Sequence, residues 1–384
     1  MARELSPAQA GEIAESVYAL RLSRDMIDAA NTAPVAREVF DLVHGTCLTG
    51  ATGLGPVVSQ TTGLGYVAWG KGARQGECLI SVRGTFKTSA YDWLTNVRMG
   101  GIIGPSGYIV HTGFWRGAQS ILPQITQNLR NRNPSALHVV GHSLGGAMAT
   151  LIADSLSNMG CSVKLYTFGA PKCGLEAHTE YLTSKLGQEN IFRAYHDTDP
   201  VPMVPVFPYC HVPAGSNAYR LKGPGKHINV GAHLMPEYRK SVGDSAWAAL
   251  PVILPKHSSF ETANEWLSNA AKENGPFIML SATALRLILS ALDWIIKQVS
   301  KIPGVLLFEG TTVLDALARL LYSGVLQSIE LAETIRNLLS AAMRFMGRTL
   351  TAAANITVAF IEYVLGLLFR FVSTIARRAV DMLD

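Results

Sequence analysis

Apolar positions change their spacing twice along this chain, and the changes divide it into three. Near the start, Ile13, Val17, Leu20 and Leu22 recur at roughly helical intervals behind Ser6-Pro7-Ala8-Gln9, an N-cap followed by proline at the first helical position. An amphipathic leading helix is predicted there, and a second helical stretch over residues 35–43. The Gly-rich segment from Gly50 to Gly65 then breaks the periodicity, and from Tyr66-Val67-Ala68-Trp69 onward short apolar runs read as strands. Residues 77–82, 137–140 and 191–195 are three such runs. Beyond Gly275-Pro276 the pattern turns to long apolar runs broken by single charges, with helical spacing over residues 277–296, 304–329 and 331–346. Residues 350–369 are about as long as a bilayer-crossing helix, with Glu362 the one charge inside and Arg344, Arg348 and Arg370 flanking.

These shifts predict an α/β domain with a mostly parallel sheet and a C-terminal all-α region. The N-terminal segment, residues 1–48, packs on the α/β domain, residues 49–275. Residues 276–384 form an apolar or amphipathic helical domain. Composition sharpens this: 48% of the 384 residues are hydrophobic and 16% charged, low for a soluble enzyme, so part of the apolar surface is expected to face lipid or a partner. The net charge of +5 comes without any block of consecutive Lys or Arg, which argues against nucleic-acid binding. Five cysteines without C-x-x-C spacing suggest neither a zinc site nor a complete disulfide framework, and are read as mostly reduced core thiols. Met1-Ala2-Arg3-Glu4-Leu5-Ser6-Pro7 lacks the apolar region of a signal peptide. The expectation is a protein made in the cytoplasm that is membrane-associated or exported by a specialised secretion system.

The candidate chemistry centres on Val139-Val140-Gly141-His142-Ser143-Leu144-Gly145-Gly146. An apolar strand runs into a small-residue helix, with glycines two positions before and after Ser143, where strand and helix cross too closely for side chains. Such an elbow pushes a serine nucleophile into a cleft. The backbone N–H of Leu144 is then the first oxyanion donor. Thr85, after the strand over residues 77–82, is the candidate for the second, the alternative being a capped strand end. Gly100-Gly101-Ile102-Ile103-Gly104-Pro105 suits either a small lid or an ordinary surface loop. Downstream, Asp197 and Asp199 compete for the acid, and His211, His227, His233 and His257 for the base.

The chain resembles the class 3, or fungal-type, lipases of the α/β-hydrolase fold. The motifs that carry the likeness stand in family order: Arg83-Gly84-Thr85, Asp92-Trp93, His111-Thr112-Gly113-Phe114, Gly141 to Gly146, and Phe168-Gly169-Ala170-Pro171. The resemblance covers residues 65–242 and says nothing of the last hundred. It implies a triad in the order serine, acid, histidine. The family pattern D-x-V-P falls on Asp199-Pro200-Val201-Pro202, making Asp199 the acid and leaving Asp197 to cap a turn. His211 matches a segment that does not supply the base, whereas His233 and Tyr238 match the family's terminal H-x-x-x-x-Y, so His233 is the base and His227 the reserve. His142 is a packing or supporting group in this pattern.

The resulting expectation is a serine-dependent lipid ester hydrolase, a triacylglycerol lipase or phospholipase A, working through an acyl-enzyme without metal or organic cofactor. The helical region is read either as a bundle that packs on the hydrolase or docks a partner protein, or as a module that holds the enzyme on an anionic membrane surface, which favours phospholipids. A bacterial lipase toxin with a protective or delivery partner is a further reading. The alternative class is a membrane-perturbing or partner-docking protein whose effect resides in the C-terminal helices.

Overall fold

The computed structural model of the chain describes residues 3–21, 24–54, 58–84, 101–130, 132–216, 218–253, 260–272, 275–276, 278–300, 312–350 and 355–383. It divides into two compact units. The first comprises residues 1–224, 229–254 and 376–384, the second residues 225–228 and 255–375.

The first unit is built on the strands β1 (Phe40–Leu54), β2 (Val58–Gly70), β3 (Glu77–Val82), β4 (Gly101–Ile103), β5 (Ile109–His111), β6 (Ala136–His142), β7 (Ser162–Phe168), β8 (Ile191–His196), β9 (Ala218–Leu221) and β10 (Val252–Ile253). Among the described residues, eight of these form one sheet in the order β1-β2-β3-β6-β7-β8-β9-β10, and β4 with β5 forms a separate hairpin. The pairings from β3 through β6, β7 and β8 to β9 are parallel, while β1–β2, β2–β3 and β9–β10 are antiparallel. The expected α/β architecture with a mostly parallel sheet is therefore present, with antiparallel edges. β3 and β6 are buried along their whole length, as the continuous apolar runs predict for a sheet covered on both faces.

The leading helix forms as its N-cap predicts. Ser6 accepts from the Gln9 N–H, Gln9 returns a bond to the Ser6 N–H, and the helix Pro7–Ser16 passes into a 3-10 turn over Val17–Arg21. The second helical stretch is shorter than expected: helix occupies only Ala36–Val39, and β1 begins at Phe40. Phe40 and Leu42 are buried and Val43 is exposed, the period of a strand. Nor does the Gly-rich segment break the sheet, since it lies within the long antiparallel pair β1 and β2. Its glycines permit close approach instead: a Cβ on Gly63 would lie 2.4 Å from the Leu20 carbonyl oxygen, and one on Gly65 2.5 Å from that of Ser81.

The second unit is helical, with helices Phe260–Ala271, Ala282–Ser300, Val313–Gln327, Ile329–Phe345 and Val358–Asp381, the last of which runs past the unit's end at residue 375. It takes in Phe260–Ala271, which lies before the composition change at residue 275. Buried apolar side chains recur three or four apart along its helices, as Leu285, Ile288, Leu292 and Ile295, then Ile335, Leu338 and Ala342, then Ile361, Leu365 and Leu368. The apolar stretch expected over 350–369 sits later, since residues 355–357 precede the helix and Val358–Asp381 carries it. Among the described residues this is the one helix long and apolar enough to cross a membrane by length and composition. Arg344 does not flank it. Its guanidinium caps the C-terminal end of Phe260–Ala271, donating to the carbonyls of Ala270, Lys272 and Gly275.

Candidate active site

The elbow is assembled from β6, Ser143 and the helix Leu144–Leu156. Ser143 adopts φ 58°, ψ −136°, a left-handed backbone that a non-glycine residue rarely takes and that marks a functional constraint. Two close crossings impose it. A Cβ on Gly141 would meet the Gly145 carbonyl oxygen at 2.4 Å, and one on Gly145 would meet that of Val82 at 2.3 Å. The Ser143 N–H donates to the Phe168 carbonyl at the end of β7, tying the elbow to the neighbouring parallel strand.

Two side chains from separate loops line up behind this serine. His233, at the end of the 3-10 turn Val230–His233, places Nε2 2.7 Å from Ser143 Oγ and Nδ1 2.8 Å from Asp199 Oδ2. With Asp199 accepting at Nδ1, that nitrogen carries the hydrogen, and Nε2 accepts from the serine hydroxyl. Asp199 follows β8. Its Oδ2 also accepts from the Tyr238 hydroxyl at 2.7 Å, and its Oδ1 accepts from the Val201 N–H at 2.9 Å. All four of Ser143, Asp199, His233 and Tyr238 are fully buried. Burial and the adjacent Asp199 carboxylate raise the Tyr238 phenol well above its ordinary pKa, so it stays a donor.

The competing candidates are accounted for. Asp197 accepts from the Gly223 N–H at 2.8 Å and faces Arg220 at 3.6 Å, a turn-capping role. His211 Nε2 donates to the Pro202 carbonyl at 2.7 Å, and burial together with Arg193 and Lys172 holds it well below its ordinary pKa. His227 forms a backbone bridge with Ser281 within the helical unit. His257 lies outside the described residues, as do Thr85, Asp92 and Trp93. Of the two oxyanion candidates only Leu144 is therefore described: its N–H stands at the first turn of the elbow helix. Gly84 leaves space beside it, since a Cβ there would come within 2.8 Å of the Leu144 nitrogen. Residues 101–104, read as a lid tip or surface loop, form β4 and the turn of the β4–β5 hairpin, with Ile103 exposed. Among the described residues no group of three or more His, Cys, Asp or Glu is placed to hold a metal ion.

Two contributors escaped the sequence. Gly169, at φ 57°, lies against the acid–base pair: a Cβ on it would sit 2.9 Å from Asp199 Oδ2, 2.9 Å from Tyr238 Oη and 3.1 Å from His233 Nδ1. The motif Phe168-Gly169-Ala170-Pro171 signals a special backbone there without saying what it faces. Tyr18 bonds to His142 Nδ1 at 2.7 Å, and His142 Nε2 to the carbonyl of His233 at 2.8 Å. Nothing in the N-terminal segment announces that contact.

Residues 79–209 match the family model of the class 3 lipases, and Ser143, Leu144 and Asp199 fall inside that match. Over these residues the chain is similar to the class 3 lipases. Two lipase relatives extend the comparison. Secreted mono- and diacylglycerol lipase 1 of Fusarium solani is 36% identical over 168 residues, 41% of this chain and 48% of that protein. Secreted mono- and diacylglycerol lipase A of Penicillium cyclopium is 40% identical over 113 residues, 28% of this chain and 36% of that protein. The chain thus spans half or less of the length of these relatives. Superposition on the mono- and diacylglycerol lipase from Aspergillus oryzae gives a TM-score of 0.44 at 21% identity, covering 59% of this chain and 84% of that one. The expectation of a protein made in the cytoplasm that is membrane-associated or exported by a specialised secretion system is corrected by these relatives, which are named secreted lipases and point to an exported protein.

Proposed function

We propose that this chain is an exported serine ester hydrolase acting on lipid esters. The reading rests on the hydrogen-bonded series Ser143–His233–Asp199, buried at a strained elbow. His233 takes the Ser143 proton as Oγ attacks the ester carbonyl, and Asp199 holds the ring tautomer and stabilises the imidazolium that forms. Tyr238 donates to Oδ2 of Asp199 and the Val201 N–H to Oδ1, so the carboxylate keeps its angle. The Leu144 N–H faces the developing oxyanion, with Thr85 the proposed second donor, each worth about 3–4 kcal/mol of barrier. Collapse of the tetrahedral adduct expels the alcohol, which takes the proton from His233. Water, deprotonated by the same ring, then releases the acid and restores Ser143.

The relatives' names make partial acylglycerols the first substrates to try, while the apolar helices and their basic residues Arg370, Arg377 and Arg378 support work at a phospholipid surface. The deciding experiment is product analysis by mass spectrometry on diacylglycerol emulsions and mixed phospholipid vesicles, with the wild type and Ser143→Ala. Fatty acid release that falls roughly ten-thousand-fold or more in the variant is expected. Retention of hydrolysis by Ser143→Ala refutes the proposal. Lysophospholipid among the products selects a phospholipase A, and release from the emulsion alone a glyceride lipase. Action as an antibacterial toxin with a protective partner extends the reading. It requires growth arrest when the wild type is directed to the periplasm of a test bacterium, and normal growth with Ser143→Ala. Arrest by both proteins assigns the effect to the helices.

A further inference from the structure

The bond between Tyr18 and His142 joins residues 124 positions apart, and its direction follows from elementary chemistry. A carbonyl oxygen only accepts, so the His142 nitrogen that faces the His233 carbonyl carries a hydrogen. Burial, reinforced by the neighbouring His233, holds the His142 ring well below its ordinary pKa, so the ring is neutral and its Nδ1 is a bare lone pair. The Tyr18 hydroxyl is therefore the donor. Polarity is fixed along the whole series: Tyr18 O–H to His142 Nδ1, then His142 Nε2–H to the backbone oxygen of the residue whose ring meets Ser143.

Tyr18 also stands on a clamped support. Glu12 accepts from the N–H groups of Val35 and Ala36, Arg239 bridges Glu12 and Glu15, and the Trp247 indole N–H donates to the Leu5 carbonyl. Arg239 lies on the helix Met235–Val242, which also carries Tyr238, so the N-terminal segment grips both sides of the His233 loop. The His142 and His233 rings lie 4.7 Å apart, tilted by 32°. A reversed His142 tautomer would aim a lone pair at the His233 carbonyl and push the loop away.

We propose that Tyr18 is a positioning residue for ester hydrolysis: by fixing the tautomer of His142 it sets the carbonyl, and with it the ring, of His233 against Ser143. The inference rests on the function proposed above. Tyr18→Phe removes one hydroxyl and keeps the ring packing. Its expected effect is a fall in kcat of roughly ten-fold or more with KM unchanged, since small displacements of a reacting group are costly. The acyl-enzyme burst should remain at one per chain. Two-bond proton–nitrogen correlation spectra of the His142 ring should change from a single Nε2–H form to a mixture. In a His142→Gln background, where an amide donor replaces the imidazole, Tyr18→Phe should have no further effect on kcat.

Wild-type kcat in Tyr18→Phe, equal losses in both backgrounds, or a loss explained wholly by a smaller burst each overturn the inference, the last by reducing Tyr18 to a folding role. Hydrolysis that survives in Ser143→Ala instead overturns the function, so the two failures are distinguishable.

Discussion

Polar side chains are used differently in the two units. In the hydrolase unit Tyr18, His142, His233, Ser143, Asp199 and Tyr238 bond to one another across loops far apart in sequence, and each donor meets an acceptor inside the protein. In the helical unit several polar side chains close helix ends, with Thr334 bonding across to Asn264: Thr312 and Asp315 form a capping box, Ser328 caps the following helix, and Arg344 covers the carbonyls that end Phe260–Ala271. The first arrangement fixes the angle of individual atoms. The second mainly terminates elements whose stability comes from apolar packing. Chemistry should therefore be sensitive to single atoms in one unit, and stability to lost volume in the other.

The sharpest test of that contrast is Gly169→Ala. One added methyl group would press on Asp199, Tyr238 and His233 together, at a φ of 57° that costs an L-residue about 1–2 kcal/mol. Turnover of a soluble ester is expected to fall by roughly a hundred-fold, with a small drop in thermal midpoint. Unchanged turnover would mean that the acid–base pair tolerates displacement, and the contrast would lose its first half.

Next in size is Leu338→Ala, at a fully buried position of Ile329–Phe345. The lost packing should destabilise the helical unit by about 2–5 kcal/mol, read by denaturant unfolding or hydrogen exchange. Turnover of a soluble ester should be unaltered, and a comparable loss of turnover would show that the two units are not independent.

The smallest effect is a pH dependence confined to the hydrolase unit. His138, His142 and His196 are all held below the ordinary histidine pKa, by burial in each case, which the Glu77 carboxylate opposes only in part at His138. With folded values depressed, their contribution is complete above about pH 6.5 and is lost as the pH falls from there toward the folded values. Each histidine removes at most about 1.4 kcal/mol per pH unit over that interval. Hydrogen exchange at pH 7 and pH 5.5 should show the sheet weakening and the helices of residues 260–345 unchanged. Uniform weakening would deny the difference.

How far the sequence reveals the fold follows the same division. The elbow was legible because its cause is local: two glycines and a serine within five residues, between a strand and a helix. Asp199 and His233, far from Ser143 in sequence, were singled out through chain order and the family pattern, and they lie in one hydrogen-bonded series with it. Gly169 and Tyr18 were not, because their roles depend on what faces them, and no periodicity encodes a partner 124 residues away. The β1–β2 pair was missed for a related reason. Glycines that break an isolated strand are tolerated where a neighbouring backbone needs the room, as the Leu20 and Ser81 carbonyls do. In the helical unit apolar spacing pointed to four of the five described helices but not to their ends, which caps and residues between helices decide, and it did not point to Phe260–Ala271.

Burial of the nucleophile has a kinetic corollary. Ser143 has no solvent-accessible surface, so under the proposed function every encounter with an ester would begin with an opening fluctuation. Observed rates are then the intrinsic rate multiplied by the fraction of molecules that are open. A slow organophosphonate that traps the serine would, in lipid-free buffer, act as a clock for that fraction. Anything that favours the open form, a lipid surface included, would accelerate labelling and turnover by the same factor without touching the triad.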